Sequence, residues 1–236
     1  LAWARDEVIP AWRSTMVTLV STWNYREDVQ VFLQESLRHE DALVRSEAVR
    51  SLDFVPGALD TLEGLLNDPV RMVRLDAAWA LRQQLERTSP VYEELIAYVD
   101  NQSDQPTGAM RQGELALSQG RGDEAIAWFK KAIEWSPNSP WFHHRLGVVY
   151  HLAGQPEAGA KVLEQAALLE PGNAEHPYAL ALLYGEMGDL RKAIHQFERA
   201  VTARPDFARA WYNLGLARAQ AGEVEGGIAA LLEAEA

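Results

Sequence analysis

Residues 140–173 read PWFHHRLGVVYHLAGQPEAGAKVLEQAALLEPGN, and laying this stretch over its neighbours at a shift of 34 decides the fold. The shift superposes Gly120, Gly154, Gly188 and Gly222; it also superposes Pro137, Pro171 and Pro205, and Ala132, Ala166, Ala200 and Ala234. A fixed period of that length is the signature of stacked helical hairpins. Two further rows hold small residues: Gly113, Gly147, Ala181 and Gly215, then Ala125, Gly159, Ala193 and Gly227. They let antiparallel helices approach closely, and Phe129, Leu163, Phe197 and Leu231 supply the large apolar knob facing the gap. The Gly120 row falls where the first helix must end in a left-handed residue, and the Pro137 row where the second helix stops.

At these residues the chain resembles the tetratricopeptide repeat, over 106–236, as four units at 106–139, 140–173, 174–207 and 208–236. The second unit carries the pattern as Leu146, Gly147, Tyr150, Gly159, Leu163, Ala166 and Pro171; in the fourth, Trp211, Leu214 and Gly215 give the best first helix. Ala109, His143 and Pro177 replace the family's tryptophan, and Arg218 replaces its tyrosine. Pro177 is tolerable in a first turn, where backbone donors have no helical partner.

Upstream the period shortens. Val44, Arg45, Ala48 and Leu52 fall on Val73, Arg74, Ala77 and Leu81 at a shift of 29, and Leu33 and Leu37 fall on Leu62 and Leu66. Each unit then has two amphipathic helices joined by a polar turn, His39-Glu40-Asp41 or Asn67-Asp68-Pro69. Over 1–87 this resembles short HEAT-like repeats, with Arg13, Arg45 and Arg74 where that family places an arginine that bonds along the stack. Asp68 stands in the acidic position but its counterpart is His39, so a regular arginine–aspartate ladder is in question. Residues 88–105 read as a linker helix opened by Thr88-Ser89-Pro90, then a polar break ending at Pro106. Leu95, Ile96 and Val99 offer a stripe that could pack on both arrays. The expected fold is all-α: a right-handed α/α superhelix, an alpha solenoid with a HEAT-like array followed by a tetratricopeptide array.

The chain has 236 residues and a net charge of −12, with ten basic against eighteen acidic residues in 1–104, and it lacks a basic run. That balance argues against nucleic acid or an anionic membrane as the main partner. Cysteine is absent, which removes disulfides, thiolate metal sites and thiol nucleophiles from these residues. There is no apolar run of membrane-spanning length and no visible signal peptide, so no membrane insertion is expected. Leu1-Ala2-Trp3-Ala4 reads as the middle of a helix, and Ile228, Leu231 and Leu232 as an edge that further chain or a partner covers.

No phosphate loop, His-Glu-x-x-His, Gly-x-Ser-x-Gly or dinucleotide motif occurs, so no catalysis, metal or cofactor is expected in these residues. His144 and His151 share the expected concave face but stand roughly 10 Å apart along the axis, too far to hold one metal alone. Arg121-Gly122-Asp123 reads as an interhelix turn, with Asp123 free to cap the next helix. The glycan acceptor pattern of Asn101-Gln102-Ser103 carries no weight.

The informative surface is the inner face of the first helices. One row reads Met110, His144, Tyr178 and Tyr212, and the next Glu114, Val148, Leu182 and Leu216; around them lie Trp141, Arg111, Arg145, Arg209 and Asn213. Aromatics with a few arginines are the composition of binding hot spots. The lysine and asparagine pattern by which some tetratricopeptide proteins clamp a chaperone's terminal carboxylate is missing. The reading is a non-catalytic interaction or assembly scaffold that holds a protein partner or another copy of itself. HEAT-like units, a linker helix and then tetratricopeptide repeats also resemble the C-terminal region of bacterial multihaem c-type cytochromes. That resemblance implies export to the periplasm or exterior and haems upstream of residue 1, with this part as scaffold; otherwise the protein is cytoplasmic.

Overall fold

The computed structural model describes residues 9–23, 26–52 and 62–235. The chain divides into two compact units, 1–101 and 102–236. Among the described residues the regular elements are all helical, and no helix is long and apolar enough to cross a membrane.

The first unit contains α1 (Pro10–Val20), α2 (Glu27–Ser36), α3 (Ala42–Leu52), α4 (Arg71–Ala80) and α5 (Pro90–Asp100). Its core buries Leu33, Val44, Ala48, Leu52, Leu62 and Leu81 of the stripe the 29-residue shift picks out, together with Val17 and Phe32. The polar turns are held from the following helix. Arg45 on α3 donates Nη1 to the His39 and Glu40 carbonyls, at 2.7 Å each. Its other nitrogens grip Asp68 in both carboxylate oxygens, at 2.8 and 2.9 Å. Arg74 repeats the move one unit on, donating to the Asp68 carbonyl at 2.8 Å and to Glu94 of α5 at 3.0 and 3.1 Å. The arginine ladder therefore forms, and its second rung uses a glutamate of the linker helix in place of the aspartate. Burial pushes the Asp68 carboxyl up, but the Arg45 bonds, the Val70 amide and Arg74 outweigh it and hold the group below its ordinary range. Helix α5 belongs to this unit: Ser89 caps it from Tyr92 at 3.4 Å, and Leu95 and Val99 are buried.

The second unit holds four hairpins: α6 (Pro106–Ser118) with α7 (Gly122–Trp135), α8 (Pro140–Leu152) with α9 (Pro156–Leu169), α10 (Glu175–Glu186) with α11 (Leu190–Ala203), and α12 (Ala208–Gln220) with α13 (Val224–Glu235). Gly120, Gly154, Gly188 and Gly222 sit at φ of 74, 72, 78 and 85°. There the amide of the next residue reaches back to the helix it has left, as in Gln155 N–H to Tyr150 C=O at 2.8 Å, which satisfies carbonyls the helix end would orphan. The small-residue row has the cause read from the sequence. A Cβ on Gly147 would stand 2.5 Å from Leu163 Cγ, and one on Gly215 2.6 Å from Leu231 Cγ. Leu231 thus packs inward and leaves the expected uncovered edge, while Ile228 and Leu232 remain exposed. Asp123 stands inside the first turn of α7 and caps nothing there, because the helix already starts at Gly122.

Adjacent hairpins are stitched along one more row. Lys130 lies 5.7 Å over the Tyr150 ring, the Tyr184 hydroxyl donates to Glu164 at 2.6 Å, and Arg218 donates to Glu198 at 2.7 Å. Each pair joins the second helix of one hairpin to the first helix of the next. Arg218 in the tyrosine position therefore performs the tyrosine's bridging role with a charged donor.

Candidate functional site

The inner faces of α6, α8, α10 and α12 carry the sequence-selected residues, and they divide into two chemically different halves. Toward α6 the polar groups satisfy one another. Arg145 Nη2 meets Glu114 Oε1 at 2.7 Å, with the glutamate side chain only 13% exposed, and Arg111 donates to Gln102 at 3.2 Å. Met110 packs half-buried against the cluster of Ala109, Ala132 and Phe142. Trp141, exposed in the first turn of α8, stands edge-on to Phe142 at 5.7 Å. His144 meets a partner the sequence reading missed: its Nδ1 lies 2.9 Å from Nδ1 of His176, whose Nε2 lies 2.9 Å from Glu170 Oε2. His151 lies apart from this contact and pairs with Glu186 at 3.2 Å. Burial first, then His176 and Arg145, push His144 down from its ordinary value to about 4 against the opposing pull of Glu175. Among the described residues no group of three or more histidines and carboxylates is placed to hold a metal ion.

Toward α12 the surface is aromatic and open. Tyr178, Arg209, Tyr212 and Asn213 line a pocket of about 680 Å³ with Ala208, Leu231, Ala234 and Glu235. Tyr178 is held by neighbours on both its ring and its hydroxyl. Its ring lies 4.8 Å from Phe207 and 5.9 Å from Phe197, and its hydroxyl accepts from Asn213 at 3.0 Å. The Arg209 guanidinium covers Tyr178 and Phe207, at 5.9 and 5.6 Å from the ring centroids. Tyr212 is the exposed aromatic, 52% accessible, flanked along the inner row by exposed Leu182 and Leu216. Those two leucines are therefore surface groups, whereas Val148 in the same row is half-buried. A second pocket, about 650 Å³, lies between α7, α8 and α9 over Ile133, Leu146 and Val162; no repeat register pointed to it.

Residues 5–82 match the family model for HEAT repeats, residues 113–154 that for the TPR repeat, and residues 178–236 that for the tetratricopeptide repeat. The human tetratricopeptide repeat protein 13 is 28% identical over 127 residues, which cover 52% of this chain and 14% of that protein. The chain thus spans a small fraction of the length of this curated relative. Among solved structures, a crystal structure of MamA superposes with a TM-score of 0.55 at 23% identity, covering 61% of this chain and 84% of that one. MamA 41-end from Desulfovibrio magneticus RS-1 gives 0.54 at 23% identity, covering 66% of this chain and 91% of that one. These likenesses show the fold: HEAT-type repeats at the start of the chain and tetratricopeptide repeats after them.

Proposed function

We propose that this protein is an interaction or assembly scaffold without catalysis of its own, and that it holds a protein partner on the concave face of the tetratricopeptide unit. The observation that carries the reading is the division of that face. In the half toward α6 the charged groups are already paired, so a ligand would have to displace existing partners. In the half toward α12, Arg209 has no carboxylate partner among the described residues, and Tyr212 and Leu216 stand exposed beside an open pocket. Rigid aromatics in a concave site give much contact for little lost freedom, and a guanidinium suits a carboxylate. The segment accommodated there carries an apolar side chain beside an acidic group.

The experiment is capture of partners from the source cells on the intact chain, compared with a Tyr212→Ala, Arg209→Ala variant. Capture should fall at least tenfold while the thermal melt stays with the parent, since neither side chain is buried. Capture that persists in the variant contradicts the groove and moves the interface to exposed Ile228 and Leu232. The multihaem cytochrome reading is a separate proposal resting on the order of the two arrays; Cys-x-x-Cys-His motifs upstream of residue 1 would support it.

A further inference from the structure

We propose that His144 and His176 form a proton-operated latch between the second and third tetratricopeptide hairpins, closed while a single hydrogen lies between their facing Nδ1 atoms and opened when both atoms carry one. The two nitrogens are 2.9 Å apart, a hydrogen-bond distance that admits one hydrogen. His176 is 3% exposed and sits in the first turn of α10, while His144 stands on α8. A carboxylate only accepts, so the 2.9 Å contact with Glu170 requires the hydrogen of His176 on Nε2. Glu170 is steadied by Asn173 at 3.0 Å. In the neutral pair, Nδ1 of His176 is then a lone pair, and His144 must carry its hydrogen on Nδ1, the less common tautomer of a free imidazole.

The latch tolerates one added proton, because the contact survives whichever ring donates. A second proton sets two N–H groups head to head with two positive charges behind them. The surroundings decide how costly that is. Arg145, on the same helix, adds positive charge, although Glu114 of α6 holds its far side. Glu175 of α10 is the opposing carboxylate, and it is already held by Arg204 at 2.6 Å. Glu170, just past the end of α9, accepts from both His176 and Asn173. Burial and these neighbours keep His144 neutral down to about 4.

The sign follows from linkage. The unfolded chain protonates His144 below its ordinary value of 6.5, while the closed fold refuses that proton until about 4. Stability from the latch is complete above 6.5 and declines as the pH falls toward 4, by up to about tenfold in the folding equilibrium per pH unit for the one excluded proton. Most carboxylates titrate lower, which leaves the upper part of the window to histidine.

The test uses the intact chain. Long-range proton–nitrogen NMR of the imidazoles near pH 8 should show His144 protonated on Nδ1 and His176 on Nε2. Urea unfolding between about pH 6.5 and 5 should show a loss of stability that is absent in His144→Asn, whose amide N–H can still donate a hydrogen bond but cannot titrate. Finding both rings in the Nε2–H form overturns the latch, as does a pH slope the same in parent and variant. A parent melt that drops on adding a chelator also overturns it, because the facing nitrogens would then hold a metal ion.

Discussion

The two units solve the same problem, stacking helical hairpins, with different chemistry. The first unit ties its turns together through charge: Arg45 grips Asp68 bidentately in a buried pair, and Arg74 grips Glu94 in a half-buried one. The second brings helices close enough that only hydrogen fits at Gly147 and Gly215, then stitches neighbours through the Tyr150, Tyr184 and Arg218 row. The difference explains the texture of the sequence. Close packing fixes a small residue to one position per 34, whereas a long arginine can reach a carboxylate from either of two side-chain lengths and several offsets. The ladder therefore left an irregular trace and the packing a strict one.

The comparison breaks most visibly at Asp68. Asp68→Ala strands the Arg45 guanidinium, which is 10% exposed; losing one partner of a buried pair costs about 3–5 kcal/mol. Urea unfolding of the first unit should register it. The stabilisation from this carboxylate should persist from neutral pH down to the ordinary 3.8 and disappear below it, since its folded value is lowered. A loss under about 1 kcal/mol, the worth of an exposed pair, would show that the ladder is ornamental to the stack.

Overpacking the second unit comes next. Gly147→Leu drives a side chain into Leu163 and should cost about 1–3 kcal/mol or more, with Ala166→Leu similar at its fully buried site. A melt within a degree or two of the parent would mean that the close approach does not hold the hairpin. The smallest effect is at the turn: Gly188→Ala, at φ of 78° with open space around its Cβ, should cost about 1 kcal/mol from backbone strain alone.

The fold was legible because its constraints repeat. The left-handed glycines, the small rows and the prolines after α7, α9 and α11 are each a steric requirement that admits few residues. The site was legible only as a surface. The 34-residue row led to Tyr212, with Arg209 beside it, but it said nothing about Tyr178 lying against Phe207, because that contact crosses between hairpins at an offset of 29. His176 was missed for the same reason: it stands 32 residues from His144, two short of the period, and enters the contact from the first turn of its helix. Glu94 sits on the helix read as a linker, where no repeat suggested a role. Periodicity reveals what every unit shares, and the exceptions that build a site fall between its registers.

The central claim is that the two halves of the concave face differ in function. Its most direct test is titration of a captured partner against single variants of each half. Tyr212→Ala should weaken binding about thirtyfold or more, the equivalent of the roughly 2 kcal/mol that marks a hot-spot truncation, while Met110→Ala leaves it within twofold. Equal losses in both halves, or a loss confined to Met110→Ala, would contradict the account.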